Sequence, residues 1–333
     1  MTPVQIEAKV IAYSRCKRTG RKIVTFEFFY PRFIHGELMT HRLFSRNAAS
    51  SRAIPIKKMI EQVKNNPAFP IHWGKNQAGM QANEELNPVL RKVAIYLWKN
   101  AAQLAAGAAE GMDRIGLHKQ VVNRVLEPFQ IMKTVVTSTC WENWNWLRFH
   151  KDAQPEIREL ARVAIEALEA YGEPEDLNPG EWHTPYVFHH RDSNGVLQYV
   201  GNELQYFTLE EALMISSSCC AQVSFRLLND DLEKAKEIYG KLVESEPVHA
   251  SPFEHQATPM QEDEPMLKGI PVPAGYEAMA MTFKAGKVNV VGNSNTWEPG
   301  ITHVDRQGRF WSGNLLGFVQ HRQLIPNNVK QEV

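Results

Sequence analysis

The stretch "KIVTFEFFYPRF", residues 22–33, decides much of the fold. Its residues are mostly β-branched or aromatic and its pattern alternates, which is typical of a strand. Pro31 offers no backbone N–H to a continuing ladder, so we expect the strand to end there. The apolar residues that follow recur near the helical period, which predicts that a helix begins next: Ile34, Leu38, Met39 and Leu43.

The next stretch, "MTHRLFSRNAASSRAIP" (residues 39–55), concentrates cations and hydroxyls. On a helix, His41 and Ser45 would share one face, and Arg42 and Arg46 the adjoining face. Arginine binds phosphate through two parallel hydrogen bonds, so the stretch is a candidate anion site. A solvated, charged helix face is the ordinary alternative. The residues alone leave both interpretations open.

Composition narrows the class of protein. The 333 residues include 37 Lys and Arg against 37 Asp and Glu, so no global field favours nucleic acid or an anionic membrane. No apolar run approaches the ~18–20 residues of a membrane span, and the first residues lack the order of a signal peptide. The four cysteines include no C-x-x-C pair, which argues against a disulfide framework. We expect a cytoplasmic protein with no membrane partner.

Helical patterns define two blocks of the chain. Residues 85–116 offer Asn87 as a cap, and residues 152–172 form an apolar stripe that Gly172 ends. The sequence predicts an N-terminal block at 1–172, a Pro/Gly-rich linker or long loop at 173–204, and a C-terminal block at 205–333. We expect both blocks to build one intertwined α+β fold, an antiparallel sheet packed with long helices.

Other segments carry candidate chemistry with open alternatives. In "HASPFEHQ" (249–256) the two histidines are poorly spaced for a metal pair, so a turn at Ser251 with Phe253 in the core is the simpler interpretation. "HTPYVFHHRD" (183–192) is interpreted as a polar loop, and no metal is expected. Arg124 and Arg148 lie among apolar and aromatic residues, which suits either a core edge or a wall for a flat ring with an anion contact. Glycine-rich nucleotide loops and hydrolase motifs are absent from the sequence.

Together these segments resemble the flavin-dependent thymidylate synthase family, whose signature is Arg-His-Arg, seven residues, then Ser. "THRLFSRNAASSR" (40–52) keeps that spacing, with Thr40 in place of the first arginine and Ala48 in place of a glutamate. "NRVLEPF" (123–129) is similar to the family's Arg-x-x-Leu-Pro segment, with Glu127 inserted or substituted. "NWNWLRFHKDAQPEIRELA" (143–161) is similar to its Asn-x-x-x-Leu-Arg run.

The order of the motifs departs from the family. "CAQVSF" and "HASPFEH" normally precede the Arg-His-Arg motif, but here they follow it and lead to a second His-Arg pair in "FVQHRQL" (318–324). The resemblance therefore implies a circular permutation, or a partly duplicated core with two His-Arg helices. We favour the first pair as the flavin site because only it carries the downstream Ser50 and Arg52.

The resemblance implies FAD-dependent methylation of deoxyuridine monophosphate (dUMP) to thymidylate, with methylenetetrahydrofolate and NADPH as co-substrates, by a homotetramer. It assigns catalysis to His41, Ser50 and Arg148. It assigns dUMP binding to Glu37, Ser50, Ser51, Arg52, Arg124 and Arg148. It assigns flavin binding to His41, Arg42, Asn47, Asn143, Leu147, Ser224, His249, Ser251, Glu254, His321 and Arg322. The alternatives are a flavin-dependent dUMP hydroxymethylase or other dUMP-modifying variant, and a non-catalytic nucleotide- or nucleic-acid-binding relative.

A flavoprotein is coloured, which gives the first prediction. Purified protein is expected to be yellow, or to become so on adding FAD, and to show a flavin absorbance band that persists after gel filtration. Colourless protein that ignores both FAD and dUMP would favour the non-catalytic alternative.

Overall fold

A five-stranded sheet forms the centre of the molecule. The computed structural model describes residues 6–79, 81–223, 229–262 and 297–330, with the backbone of two further strands at 281–284 and 287–290. The strands are β1 (Glu7–Cys16), β2 (Lys22–Pro31), β3 (Ser45–Ala48), β4 (Ile131–Ser138) and β5 (Glu175–Leu177), in the order β3-β4-β2-β1-β5. All pairings are antiparallel except that of β1 with β5. The α+β class is confirmed, and β2 ends at Pro31 as predicted.

One face of this sheet packs against helices. Because side chains alternate along a strand, every second residue of β2 points to the same side. Helices α5 (Glu142–Arg148) and α6 (Pro155–Tyr171) cover that side. The resulting core contains Val24, Phe26, Phe28, Tyr30, Met132, Val136, Trp144, Ile157, Leu160, Ala161 and Ala164, all buried.

The opposite face carries a buried chain of hydroxyls and imidazoles. Thr25 Oγ1 lies 2.6 Å from Thr137 Oγ1 and 2.8 Å from His183 Nε2. Ser14 Oγ lies 2.9 Å from His183 Nδ1, and Thr137 Oγ1 lies 2.8 Å from His255 Nδ1. Thr25, Thr137 and both histidines are fully buried. These contacts fasten β1, β2 and β4 to segments from the later part of the chain.

Helix α1 (His35–Met39) lies between β2 and β3 in the chain. A second helical layer lies between β3 and β4 and contains α2 (Ile56–Asn65), α3 (Pro88–Arg114) and α4 (Lys119–Val122). As predicted, Asn87 caps α3, accepting hydrogen bonds from the N–H groups of Val89 and Leu90. α3 packs against α2 through alanines, while an apolar stripe on α3 stays exposed: Val89, Leu90, Val93, Tyr96, Leu97 and Leu104.

The later part of the chain forms small sheets around two helices. Strands β6 (Phe188–Arg191), β7 (Leu197–Val200) and β8 (Tyr206–Phe207) pair with one another. Helices α7 (Leu209–Ala221) and α8 (Leu232–Val243) follow, as their patterns predict. The remaining strands are β9 (Ala257–Pro259), β10 (Met281–Lys284), β11 (Lys287–Val290), β12 (His303–Val304), β13 (Phe310–Ser312), β14 (Leu315–Leu316) and β15 (Phe318–Gln320).

Three local predictions were wrong. The helix expected from the spacing of Ile34, Leu38, Met39 and Leu43 ends at Met39, and Ser45–Ala48 pairs as β3 with β4. The polar segment 173–204 is not a plain loop, since it contains β5, β6 and β7 and buries Trp182. The His-Arg pairs do not lie on two helices: the first follows α1 in a turn, and the second opens a 3-10 turn after β15. The division into blocks at 172 and 204 stays a prediction.

The described residues contain neither a membrane-spanning helix nor a cluster of metal ligands. None of their helices combines the length and apolar character needed to cross a bilayer. Across the same residues, no group of three or more His, Cys, Asp or Glu side chains is arranged to hold a metal ion.

The buried histidines predict acid sensitivity. Burial lowers the pKa of His255 to about 3 and that of His183 well below its ordinary value. Both values lie below those of the unfolded chain, so the unfolded chain binds more protons once the pH falls below about 6.5. Stability is fully present above that pH and is lost as pH falls, by about 1.4 kcal/mol per pH unit for each neutral buried histidine.

Urea unfolding at about pH 7.5 and about pH 5 measures this loss. The exposed His190 provides a matched control. His190→Asn should leave the pH dependence unchanged. Equal free energies of unfolding of the wild type at both pH values would contradict the conclusion that His183 and His255 are neutral when buried.

Candidate functional site

The first His-Arg pair lies in the turn between α1 and β3. His41 is buried against Phe44 and Trp144, with ring centroids 5.5 Å and 4.9 Å away. Burial, with the nearby charges of Arg148 and Arg46, lowers the pKa of His41 to about 4. The imidazole is therefore neutral at pH 7 and can accept a hydrogen bond.

Arg148, at the end of α5, reaches this turn. Its Nε donates to His41 Nε2 at 2.9 Å, and its Nη2 donates to Thr40 Oγ1 at 2.9 Å. Thr40 thus places a neutral hydroxyl at the position where the family's signature has an arginine. An arginine at that position would repel Arg148. The hydrogen bond to Nε2 also assigns the His41 proton to Nδ1. His41 and Arg148 are brought together, as the resemblance implies.

Arg46 has a structural role that the sequence did not reveal. Its Nη1 donates to the carbonyl oxygens of Met39 at 2.9 Å and His41 at 3.2 Å. These carbonyls belong to the last residue of α1 and the turn, where helical partners are lacking. Arg46 therefore holds the turn rather than facing a ligand.

The segments around His41 and Arg148 expose both cations and apolar groups. Arg42 and Asn143 are exposed, and Arg42 makes no hydrogen bond or ion pair within the described ranges. Exposed apolar side chains flank the turn and α5: Met39, Leu43, Trp146, Leu147 and Phe149. The two segments, which the Arg148–His41 contact joins, thus expose a cation on one and planar aromatic groups on the other.

The loop after β3 carries the predicted substrate residues. Asn123 Nδ2 donates to the carbonyl oxygens of Ser51 at 2.7 Å and Ile54 at 2.9 Å, which fixes the loop. Ser50 and Arg52 are exposed at its surface, while Ser51 is buried. The loop thus presents one hydroxyl and one cation outward and one hydroxyl inward.

Glu127 is the centre of a cluster that joins this loop to Arg124. Ser51 Oγ donates to Glu127 Oε1 at 2.6 Å. Arg124 Nη1 lies 3.1 Å and Arg32 Nη2 lies 3.2 Å from the same oxygen. Sequence reasoning missed Arg32 and gave Glu127 no role, although Glu127 is the residue by which "NRVLEPF" departs from the resembled motif.

A cleft of about 360 Å³ opens beside the same loop. Gln130 Oε1 and Gln62 Oε1 in its lining are buried and have no hydrogen-bond partner among the described atoms. Such oxygens can accept from a ligand N–H group. The other lining residues are Phe29, Ala49, Ile54, Lys58, Met59, Asn66, Ile131, Lys133 and Val223.

The later motifs pack behind β3. Gln320 Nε2 donates to Glu254 O at 3.1 Å and lies 3.2 Å from Ser45 Oγ. The carboxylate of Glu254 pairs with Arg322, and His321 is buried edge-on against Trp182 and Phe253 at 5.6 Å. These contacts give Glu254, His321 and Arg322 a packing role beside the first His-Arg segment.

The remaining predicted flavin residues are distributed as follows. Asn47 Nδ2 donates to Cys220 O at 3.0 Å, so its amide fastens β3 to α7. His249 and Ser251 are exposed at the 3-10 turn Ser251–Glu254, with Phe253 fully buried as predicted. Glu37 lies on α1, and its carbonyl oxygen accepts from Arg148 Nη2 at 3.4 Å. Ser224 lies outside the described residues.

Comparisons with known proteins gave only distant likenesses. No family model and no curated protein matches the chain. A UMP/dUMP methylase, PolB from Streptomyces cacaoi bound with 5-Br UMP, is 16% identical over 51% of this chain and 96% of its own, with a TM-score of 0.41. Thymidylate Synthase X from Helicobacter pylori with FAD and dUMP is 14% identical over 49% of this chain and 92% of its own, with a TM-score of 0.34. Likenesses at these scores assign neither a fold nor an activity.

We predict that Asn123 stabilises the loop after β3. Asn123→Ala removes both donors and leaves two buried carbonyls unpaired, which should lower the free energy of unfolding by about 2–3 kcal/mol. Gln103 on α3 provides the control, because its Nε2 donates to Lys64 O at 3.0 Å at an exposed position. Gln103→Ala should cost less than about 1 kcal/mol in urea unfolding. Equal costs would show that Asn123 does not hold the loop.

Proposed function

We propose that this chain is a flavin-dependent enzyme that methylates dUMP, with methylenetetrahydrofolate as carbon donor and NADPH as reductant. The observation that carries the proposal is the assembly of segments 40–52, 123–129 and 143–148. Arg148 contacts His41, and Ser51 meets Arg124 through Glu127. The motif resemblance requires these segments in one site, although they are far apart in the chain.

The cleft supports a pyrimidine nucleotide as substrate. Its volume of about 360 Å³ lies in the range of small-molecule sites. The unpaired oxygen of Gln130 suits the ring N–H of uracil, and the apolar lining suits the flat ring. Ser50, Ser51, Arg52 and Arg124 are proposed for the sugar and phosphate, and Glu37 and Arg148 complete the proposed substrate-binding set.

The surface near His41 fits a flavin dinucleotide. Arg42 is an exposed cation suited to a diphosphate, and the exposed ring of Trp146 is suited to a planar heterocycle. We propose that Arg42, Asn47, Asn143 and Leu147 hold FAD with His41. The later motifs would complete the site from behind β3: His249, Ser251, Glu254, His321 and Arg322. Ser224, which lies outside the described residues, is proposed for the same flavin-binding set. The bound flavin would supply the hydride that reduces the transferred methylene.

The chain's own residues then act by charge and orientation. The three acceptors of Arg148 are uncharged, so its positive charge is available to an anion that develops on the pyrimidine. His41 positions the guanidinium by accepting from Nε. No cysteine nucleophile is required in this scheme.

Oligomer formation and motif order belong to the same proposal. The exposed apolar stripe on α3 supports an assembly of several copies, for which we propose a homotetramer. We also propose that the late position of "HASPFEH" reflects a permuted order, since the turn Ser251–Glu254 packs against β3.

Arg148→Ala tests the proposal. With dUMP, methylenetetrahydrofolate, NADPH and FAD, the wild type should form thymidylate, and the variant should lose about a hundredfold or more of that rate. Arg158→Ala is the control, because Arg158 is exposed and its Nη1 donates only to the Lys151 carbonyl, at 3.2 Å. Circular dichroism checks that both variants fold.

The product also decides between reactions. Detection of hydroxymethyl-dUMP without thymidylate would show that the enzyme hydroxymethylates dUMP and does not methylate it. Wild-type turnover by Arg148→Ala would remove Arg148 from the site.

A further inference from the structure

We propose that Arg32, Arg124 and Ser51 form an anion site whose internal occupant is Glu127, and that a phosphate monoester binds there by displacing the Glu127 carboxylate. The inference rests on the proposed function only for the identity of the nucleotide. It makes Glu127 an affinity-setting residue and adds Arg32 to the substrate-binding set.

The donors around Glu127 converge as they would on a bound anion. Three groups from separate segments lie within 3.2 Å of one atom, Oε1: Ser51 Oγ at 2.6 Å, Arg124 Nη1 at 3.1 Å and Arg32 Nη2 at 3.2 Å. A single oxygen shared by three donors is a crowded arrangement. A phosphate offers three acceptor oxygens, so each donor could take its own.

The cradle is held independently of Glu127. The Ser51 backbone is fixed by Asn123, and the backbone N–H of Arg32 donates to Gln130 O at 2.8 Å. Removing the carboxylate therefore leaves the donors near their places. The side chain of Arg124 is 57% exposed, so an external anion can reach it, whereas those of Arg32 and Glu127 are 18% and 20% exposed.

Charge gives the ligand class. Two guanidinium groups and one carboxylate leave a net charge of one positive unit in the cluster. A phosphate monoester carries about −1.5 to −2 at pH 7, more than the carboxylate it would displace. Such a ligand gains more from both arginines than a monocarboxylate does, while an uncharged nucleoside gains nothing.

Displacement has a thermodynamic consequence. The measured affinity for phosphate is lowered by the fraction of molecules in which Glu127 occupies the site. Glu127→Gln removes the competing charge with little change of shape. It should therefore tighten the binding of inorganic phosphate and of dUMP by about tenfold, but not that of deoxyuridine.

Isothermal titration calorimetry with inorganic phosphate, dUMP and deoxyuridine tests this. Glu159→Gln is the matched control, because Glu159 also pairs with an arginine three residues away, Arg162, on α6. It should bind all three ligands as the wild type does. Adding Arg32→Ala to Glu127→Gln should cancel the gain. Glu127→Asp, which retracts the carboxylate by one methylene, should give a smaller gain in the same direction and serves if Glu127→Gln fails to fold.

The outcomes separate the two proposals. Phosphate binding that is unchanged or weaker in the folded Glu127 variants overturns the internal-occupant proposal, whatever dUMP does. Tighter phosphate binding with no dUMP binding in any variant supports the anion site and rejects dUMP as its ligand. Tighter binding of both phosphate and dUMP supports both proposals.

Discussion

The hydrogen-bonded chain Ser14–His183–Thr25–Thr137–His255 is the constraint on which the rest of the structure depends. Ser14, Thr25 and Thr137 reach the ring nitrogens His183 Nδ1, His183 Nε2 and His255 Nδ1 only if the later segments dock on the sheet. Leaving buried polar groups unpaired costs free energy of folding. This face of the sheet therefore packs against those segments, whose polar groups pair with it, and not against an arbitrary apolar surface. The docking then sets β9 in place, because the backbones of His183 and Ala257 pair with each other.

The three arginines of the predicted motifs differ in how their charges are compensated. Arg322 has Glu254, and Arg124 has Glu127. Within the described part of the chain, Arg148 has only neutral acceptors, among them an imidazole that burial keeps uncharged. A cation with neutral partners keeps its full attraction for an incoming anion, whereas a paired cation must first lose its partner. The charge of Arg148 is thus open, whereas the charges of Arg322 and Arg124 are balanced internally.

Local signals predicted the parts of the fold that local physics controls. The alternation in β2, the cap at Asn87 and the stop at Gly172 all correspond to observed boundaries. The helical spacing from Ile34 to Leu43 did not predict where the helix ends, because pairing of β3 with the distant β4 outweighed it. Trp182 and His183 are buried within a polar stretch, which composition cannot reveal. Glu127 could be noticed as a departure from a motif, but its role depends on Arg32, which no local pattern connects to it.

The turn that carries His41 leads into Ser45, whose hydroxyl lies 3.2 Å from Asn314 Oδ1 and from Gln320 Nε2. Those amides lie close to the carboxyl end of the sequence given. A ribosome therefore exposes β1 to β4 long before it delivers the groups that complete them. During that interval the uncovered face of the sheet presents Thr25 and Thr137 to water, and the nascent chain must stay unaggregated until those segments emerge. The order of synthesis, not only the final geometry, thus determines when this face of the sheet can first be completed.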